Sequence, residues 1–388
     1  MLSKLYTQLQ NYYSEMVSIR RYLHQHPELS FKEKNTAKFI QSYYEQLGIP
    51  VEGNIGGNGV VARIVGSKKG KTVALRADFD ALPIQDEKDV PYKSLVPGVM
   101  HACGHDGHTA TLLVLAKVLH EMRDELVGTY VMIHQHAEEY APGGAKSMIE
   151  AGCLAEVDVI FGTHLWATVP TGTIQTRVGP IMAAADRFEI TVHGKGGHRA
   201  HPHTTKDAIV TASQLVINLQ QIVSRNIDPI ESAVVSIGSF VADNAFNVIA
   251  DKAKLVGTVR TFNESLRTQI EQNINQITKG TCLTNDSAYE YMYEQGYPAV
   301  VNHPAQTQFL MECAQDVPEV NVVEETAPQM GGEDFAYYLQ HVKGTFFFTG
   351  AGGADAYPHH HPKFDIDERA MLIAARTLGS VAIRYQSI

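Results

Sequence analysis

The segment MHACGHDGHTA, Met100 to Ala110, places Cys103, His105, Asp106 and His108 within six residues of one another. A thiolate with an imidazole suits Zn²⁺ or another borderline transition metal. Cys103 and His105 are two apart, so they diverge on a helix and converge in an extended or turning segment. Gly104 between them gives the backbone freedom for that turn. Two donors are not a site, and alone the segment reads equally well as a reduced loop cysteine among ordinary histidines. A second cluster, HQHAEE from His134 to Glu139, follows the apolar run TYVMIH. Adjacent glutamates at a strand end point to different sides, so one can bind a metal while the other faces a water on it; a general base must come within about 3 Å of its water. An isolated glutamate pair is usually solvated. Its placement at the C-terminal end of a buried strand, where open α/β sheets bind ligands, argues for a site. His164 in VDVIFGTHLW lies just past another apolar run, and His359, His360 and His361 stand together in YPHHHPKFDID.

These clusters need strands and helices to bring them together. Ser14 to Leu47 reads as helix, with Gly48 as its stop. GVVARIVG and KTVALRAD read as strands, with Lys69-Gly70 in the turn between them. A buried helix is expected from about Gly107 to Arg123. TYVMIH and VDVIFG are short, continuous apolar runs, the mark of buried parallel strands in an α/β sheet. Near Ala183 the pattern changes. RFEITVHG alternates; helix Lys206 to Ser224, strands AVVSIGSF and AKLVGTVRTF, helix Glu264 to Lys279 and strand YEYMYE follow. This β-α-β-β-α-β order is that of a split-βαβ sandwich. GYPAVVNHP then reopens the α/β pattern, which implies one domain inserted into another. The boundaries read as 1–181 and 295–388 for the host, with 182–294 inserted.

Composition narrows the function. A chain of 388 residues exceeds the usual growth of one core. The net charge of −10, with no Lys/Arg run, gives no electrostatic footprint for nucleic acid. No run of apolar residues is long enough for a membrane span, and the amphipathic N-terminus lacks the unbroken apolar core of a signal peptide. Cys103, Cys153, Cys282 and Cys313 are scattered, as expected of reduced thiols in the cytoplasm.

The stretches LRADFDALPI, MHACGHDGHTA, AEE, FGTHLW, GKGGHRAHPH, NVIADKAKLVGTVRTF, GGEDFAYY and HHHPKFDIDE span almost the whole chain. In that order they resemble the M20 metallopeptidase clan, specifically its amidohydrolase branch of N-acyl-amino-acid amidohydrolases, hippurate hydrolases and auxin-conjugate hydrolases. The resemblance implies an α/β metallopeptidase-type catalytic domain with an inserted ferredoxin-like lid and dimerisation domain. It implies two divalent ions, Mn²⁺ or Zn²⁺ before Co²⁺ or Ni²⁺, held by Cys103 as the bridging ligand, His105, Glu139, His164 and His360. The pattern His-x-Pro selects His360 over His359 and His361. Glu138 matches the general base, and Asp80 an acid that orients a ligand histidine. His198 matches a histidine that reaches a neighbouring subunit's site to bind the oxyanion, so a homodimer is expected. Asn247 and Arg260 match holders of the amide oxygen and the substrate carboxylate, although a strand Arg could equally sit in a surface ion pair. Gly332, with Gly331, either offers backbone N–H groups to the substrate or forms a turn. The implied reaction is hydrolysis of N-acyl amino acids. A dipeptidase or carboxypeptidase on the same scaffold, and a non-catalytic metal-binding protein, are the alternatives. The chain departs from the family pattern at His136, where Pro is usual, and at Ala250 in NVIA.

Overall fold

The computed structural model describes residues 1–388 and divides into two compact units, Met1–Ile181 with Val301–Ala327 and Asp334–Ile388, and Met182–Val300 with Pro328–Glu333. The first unit is built on an eight-stranded sheet. Its strands, edge to edge, are Val51–Ile55, Gly59–Val65, Val127–Gln135, Lys68–Asp78, Val159–Pro170, Gly344–Gly352, Thr173–Thr176 and Val322–Glu325. Lys68–Asp78 runs parallel to both Val127–Gln135 and Val159–Pro170, and Val159–Pro170 runs parallel to Gly344–Gly352. The continuous apolar runs in these strands follow from burial on both faces. The parallel strands also send the chain segments carrying Asp80, Glu138 and Glu139 out at one edge of the sheet.

Helix His105–Glu121 is buried from His105 to Leu119 except at Lys117, and packs with helices Tyr13–Gln25 and Arg369–Arg384. Its register depends on two glycines. Gly104 sits at its N-cap with φ 94°, a left-handed conformation that L side chains avoid. A Cβ on Gly107 would come within 2.7 Å of the Leu165 side chain, so this face packs directly against a sheet strand.

Several elements differ from the sequence reading. The helix expected from Ser14 to Leu47 is two helices, Tyr13–Gln25 and Lys34–Gln46. Pro27 disfavours a helical residue before it; the chain then turns to bridge Leu29 to Ala81, and Phe31 takes φ 65°. Lys69 and Gly70 lie inside strand Lys68–Asp78 rather than in a turn. The connection is Gly66-Ser67, whose amides bond Gly128 and Leu126 carbonyls. His164 lies within its strand, not past it, because that strand continues to Pro170. No helix is long and apolar enough to cross a membrane.

The second unit is a four-stranded antiparallel sheet, ordered Ala233–Val241, Lys252–Thr261, Ala184–His193 and Ala288–Tyr297. Helices Ala208–Leu219 and Glu264–Thr284 pack on it, capped by the Asp207 and Asn263 side chains. Phe188, Ile190, Val192 and Leu255 meet Leu215, Ile270 and Ile274 in its core, with Tyr289, Tyr291 and Tyr293 against the same cluster. The alternation of YEYMYE is this one-sided packing. The first helix ends sooner than its apolar pattern suggests, giving way to a wider turn at Ile222–Asn226. The second runs on through Gly280 to Thr284. Pro328–Glu333 joins this unit because the Ala183 amide donates to the Gln329 and Gly331 carbonyls, at 3.0 and 3.1 Å. Gly332 therefore sits with the second unit rather than in the returning half of the first.

Candidate metal centre and active site

In the first unit the carboxylates, the thiol and four histidines converge. His105 Nε2 lies 3.8 Å from Glu139 Oε1 and 3.9 Å from Glu138 Oε2. Cys103 Sγ lies 3.3 Å from His164 Nε2, and His360 Nε2 lies 3.3 Å from Glu139 Oε2. The donor atoms of Cys103, Glu139 and His360, and those of His105, Glu138 and Glu139, each fall within 4.8 Å of one another. His105 Nε2 and Glu139 Oε1 are buried and have no hydrogen-bond partner. Two orphaned polar atoms facing one another at that separation are costly unless a cation lies between them, so the residues fit a metal.

The histidines sort by what their second nitrogen does. A backbone N–H can only donate, so a ring nitrogen that it bonds has spent its lone pair, and in the neutral ring the proton sits on the other nitrogen. His108 Nε2 accepts from the Leu165 amide at 2.9 Å while Nδ1 meets Asp78 Oδ1 at 2.6 Å. His359 Nε2 accepts from the Ala167 amide at 3.3 Å, and His361 Nδ1 from the Lys363 amide at 3.0 Å. The other two inner histidines are held the opposite way. His105 Nδ1 faces the Asp80 carbonyl and Oδ1, both at 3.1 Å, and His164 Nδ1 faces the Leu165 carbonyl at 3.1 Å. In the neutral ring each therefore turns its Nε2 inward, His105 toward the two glutamates and His164 toward Cys103, the arrangement usual for metal-bound histidine.

Electrostatics point the same way. Burial disfavours a charged His105, yet Asp78, Asp80 and Glu139 outweigh it and push its pKa up to about 10. Burial, then Glu139 and Glu138, push the Cys103 thiol well up. A site that holds protons this tightly is short of positive charge. Backbone geometry is also constrained here. Ala137 has φ 55° immediately before Glu138, and His360 has φ 64°. Such conformations persist only where surroundings enforce them. The Ala137 amide donates to Glu33 Oε1 at 2.9 Å, and the His360 amide to the Ala102 carbonyl at 2.8 Å.

Residues outside the sequence reading complete the site. Asp78 takes hydrogen bonds from His108 and Arg76, and its Oδ2 lies 3.7 Å from His105 Nε2. The signal for it was present: Asp78 and Asp80 alternate at a strand end, and His105 and His108 are three apart on one helix face. Asp334 of the GGEDF segment accepts from Gln135 Nε2 at 2.7 Å and from Arg76 at 3.0 Å. Asp106, although in the sequence cluster, turns away to Arg20 at 2.8 Å and His24 at 2.7 Å and anchors the helix. His136 packs near Phe31 and against Gly57, outside the donor groups that could hold a metal.

The remaining candidates lie in the second unit. His198 pairs with Val248 in a short ribbon, and the Arg199 amide donates to the Asn247 carbonyl at 3.1 Å, which makes His198 and Asn247 neighbours. Arg260 is half-buried on its strand, and its guanidinium bonds Thr258 Oγ1 and the Val259 carbonyl rather than a carboxylate. Ala250 is buried in the core of this unit.

Residues 74–384 match peptidase family M20/M25/M40, and the chain belongs to this family. It is 64% identical over 98% of its length, and 97% of the relative, to YhaA of Bacillus subtilis (strain 168), provisionally named an amidohydrolase. It is 47% identical to the N-acyl-L-amino acid amidohydrolase of Geobacillus stearothermophilus, over 75% of this chain and 78% of that one. Thermostable carboxypeptidase 1 of Saccharolobus solfataricus (strain ATCC 35092 / DSM 1617 / JCM 11322 / P2) is 40% identical over 96% and 95% of the two chains. Among solved structures, the YXEP protein of Bacillus subtilis, described as a dinuclear metal-binding peptidase of the M20 family, superposes with a TM-score of 0.85 at 36% identity, covering 97% of this chain and 99% of that one. The protein is a metal-dependent hydrolase of the amidohydrolase and peptidase kind.

Proposed function

We propose that the protein hydrolyses the amide bond of N-acyl L-amino acids, releasing a carboxylic acid and a free amino acid. The observation that carries this reading is the pair of glutamates facing His105 Nε2 at 3.8 and 3.9 Å. The Glu139 main chain is pinned by its amide donating to Asp80 Oδ2 at 2.9 Å. Such a pair supplies one ligand and one base, whereas a binding site alone has no need of the second carboxylate.

Cys103, His105, Glu139, His164 and His360 would hold two divalent ions, Mn²⁺ or Zn²⁺ before Co²⁺ or Ni²⁺, with the cysteine shared. When bound, the ions acidify water and polarise the scissile carbonyl. Glu138 takes the proton of the attacking water and delivers it to the leaving nitrogen. Asp80 keeps the His105 proton on Nδ1 and so leaves Nε2 available. Arg260, free of a carboxylate partner in its own chain, suits the carboxylate of the leaving amino acid. His198 and Asn247 serve the amide oxygen. His198 does so in a partner subunit of a homodimer, and Gly332 lends backbone contacts. Four unpaired cysteines fit a reducing cytoplasm.

The test is a panel of N-acetyl and N-benzoyl amino acids, alongside dipeptides with free amino termini, offered to metal-reconstituted protein. Turnover confined to the N-acyl compounds supports the reading. Turnover confined to free dipeptides replaces it with the carboxypeptidase reading that one relative's name favours. Mixing His198→Ala with Glu138→Gln subunits should restore activity once subunits exchange. Exchange without recovery would end the intersubunit role.

A further inference from the structure

Four histidines crowd Cys103 and His164, and proximity alone would make His359 another ligand: its Nδ1 lies 3.8 Å from Cys103 Sγ, within a compact Cys103, His164 and His359 donor group. The hydrogen bonds argue otherwise. The Ala167 amide donates to His359 Nε2, which occupies that lone pair. In the neutral ring the remaining proton must then sit on Nδ1, the atom that faces the sulfur. A nitrogen that carries a proton cannot ligate a metal, but it can donate to a thiolate. The ring has little freedom to turn over: Trp166, Phe364 and His164 surround it with ring centroids at 4.8, 5.0 and 5.0 Å. His360, the next residue, sits in a left-handed conformation and sends its own Nε2 to Glu139 instead. The two adjacent histidines thus do different work.

We infer that His359 is a positioning residue for the metal centre: its Nδ1–H donates a hydrogen bond to the Cys103 thiolate, and it does not bind metal. The inference rests on the reading of Cys103 as a ligand. A donor to the sulfur withdraws charge from it, which lowers the energy of the sulfur lone pairs and would fix the direction in which the thiolate presents them to metal.

Cobalt(II)-loaded protein tests this. The wild type should show a sulfur-to-cobalt charge-transfer band and two cobalt ions per chain. In His359→Phe, which keeps an apolar ring without the N–H, both ions should remain and the band should move to lower energy. His359→Asn, which restores an N–H near the Nδ1 position, should move it back. Loss of one ion in His359→Phe would make the residue a ligand and overturn the inference, as would an unmoved band. A wild type that binds cobalt without any such band would instead remove Cys103 from the ligand set. A direct measurement needs no variant: in zinc-loaded protein with ¹⁵N-labelled histidine, His359 should show a protonated Nδ1 and an unprotonated Nε2. The reverse tautomer, or a zinc-bound Nδ1, would also overturn the inference.

Discussion

Asp80 and His105 are locked together: Asp80 Oδ1 lies 3.1 Å from His105 Nδ1, and both side chains are buried. The same carboxylate receives the Glu139 amide at Oδ2, so one residue outside the proposed ligand set fixes two of the proposed ligands at once. Asp80→Asn offers only one acceptor oxygen, and its NH₂ must oppose either the His105 N–H or the Glu139 N–H. Metal affinity should fall about 10–100-fold, as is typical when a partner of a ligand histidine is lost. Chelator competition measures it, and unchanged affinity would remove Asp80 from this role.

Glu138 and Glu139 are adjacent in sequence and should fail differently. Glu138→Gln should retain both ions and lose about 10²–10⁴-fold in turnover, the worth of a general base. Glu139→Gln should lower metal content, read directly by elemental analysis. If the two variants show the same defect, the division of labour between them is wrong.

The α/β host, the inserted split-βαβ unit and the side chains that the structure gathers at the candidate metal centre were legible in the sequence. The signals were local: apolar runs of strand length, and Cys, His and Glu placed where those runs end. Contacts that depend on which strands become neighbours were not legible. Arg76 reaches Gln135 on the adjacent strand and Asp334 from far along the chain, and no spacing rule links them. Glu33 caps the turn before Glu138 across a sequence separation of 104 residues. Pro328–Glu333 joins the second unit through main-chain bonds to Ala183, which side-chain patterns do not encode. The roles of the clustered histidines were hidden for the same reason. By residue type HHHP gives three equivalent rings, and only the family pattern separated His360; the structure adds that backbone amides occupy His359 Nε2 and His361 Nδ1.

Metal loading should release protons. Without metal, His105 holds its proton up to about pH 10 because Asp78, Asp80 and Glu139 outweigh burial, and the Cys103 thiol is raised well above its ordinary value by burial, Glu139 and Glu138. Both groups must deprotonate to bind metal. Near neutral pH the logarithm of the metal association constant should therefore rise by about two per pH unit. Calorimetry in buffers of different ionisation enthalpy counts the protons directly. Release of none would show that both donors are already free of protons in the metal-free protein or do not bind; release of one would show this of one of them.

Glu33 should make the metal-free protein less stable as pH rises. Its carboxyl is largely buried, and burial together with the Asp80 charge raises its pKa from 4.5 to about 7, despite hydrogen bonds from Asn58 and Ala137. Between those two values the native state binds a proton that the unfolded chain has released. The contribution of Glu33 to stability is therefore greatest below about pH 4.5, declines as pH rises towards 7, and is flat above. The loss from this one group is about 3 kcal/mol. Glu33→Gln keeps an oxygen for the Ala137 amide but cannot ionise. The contribution is isolated by comparing urea midpoints of wild type and variant at pH 5 and pH 8. The variant should be the less pH-sensitive of the two over this interval, and the more stable relative to wild type at pH 8. Equal pH dependence in the two proteins would mean that Glu33 titrates as an ordinary carboxylate and that the turn before Glu138 is held by other contacts.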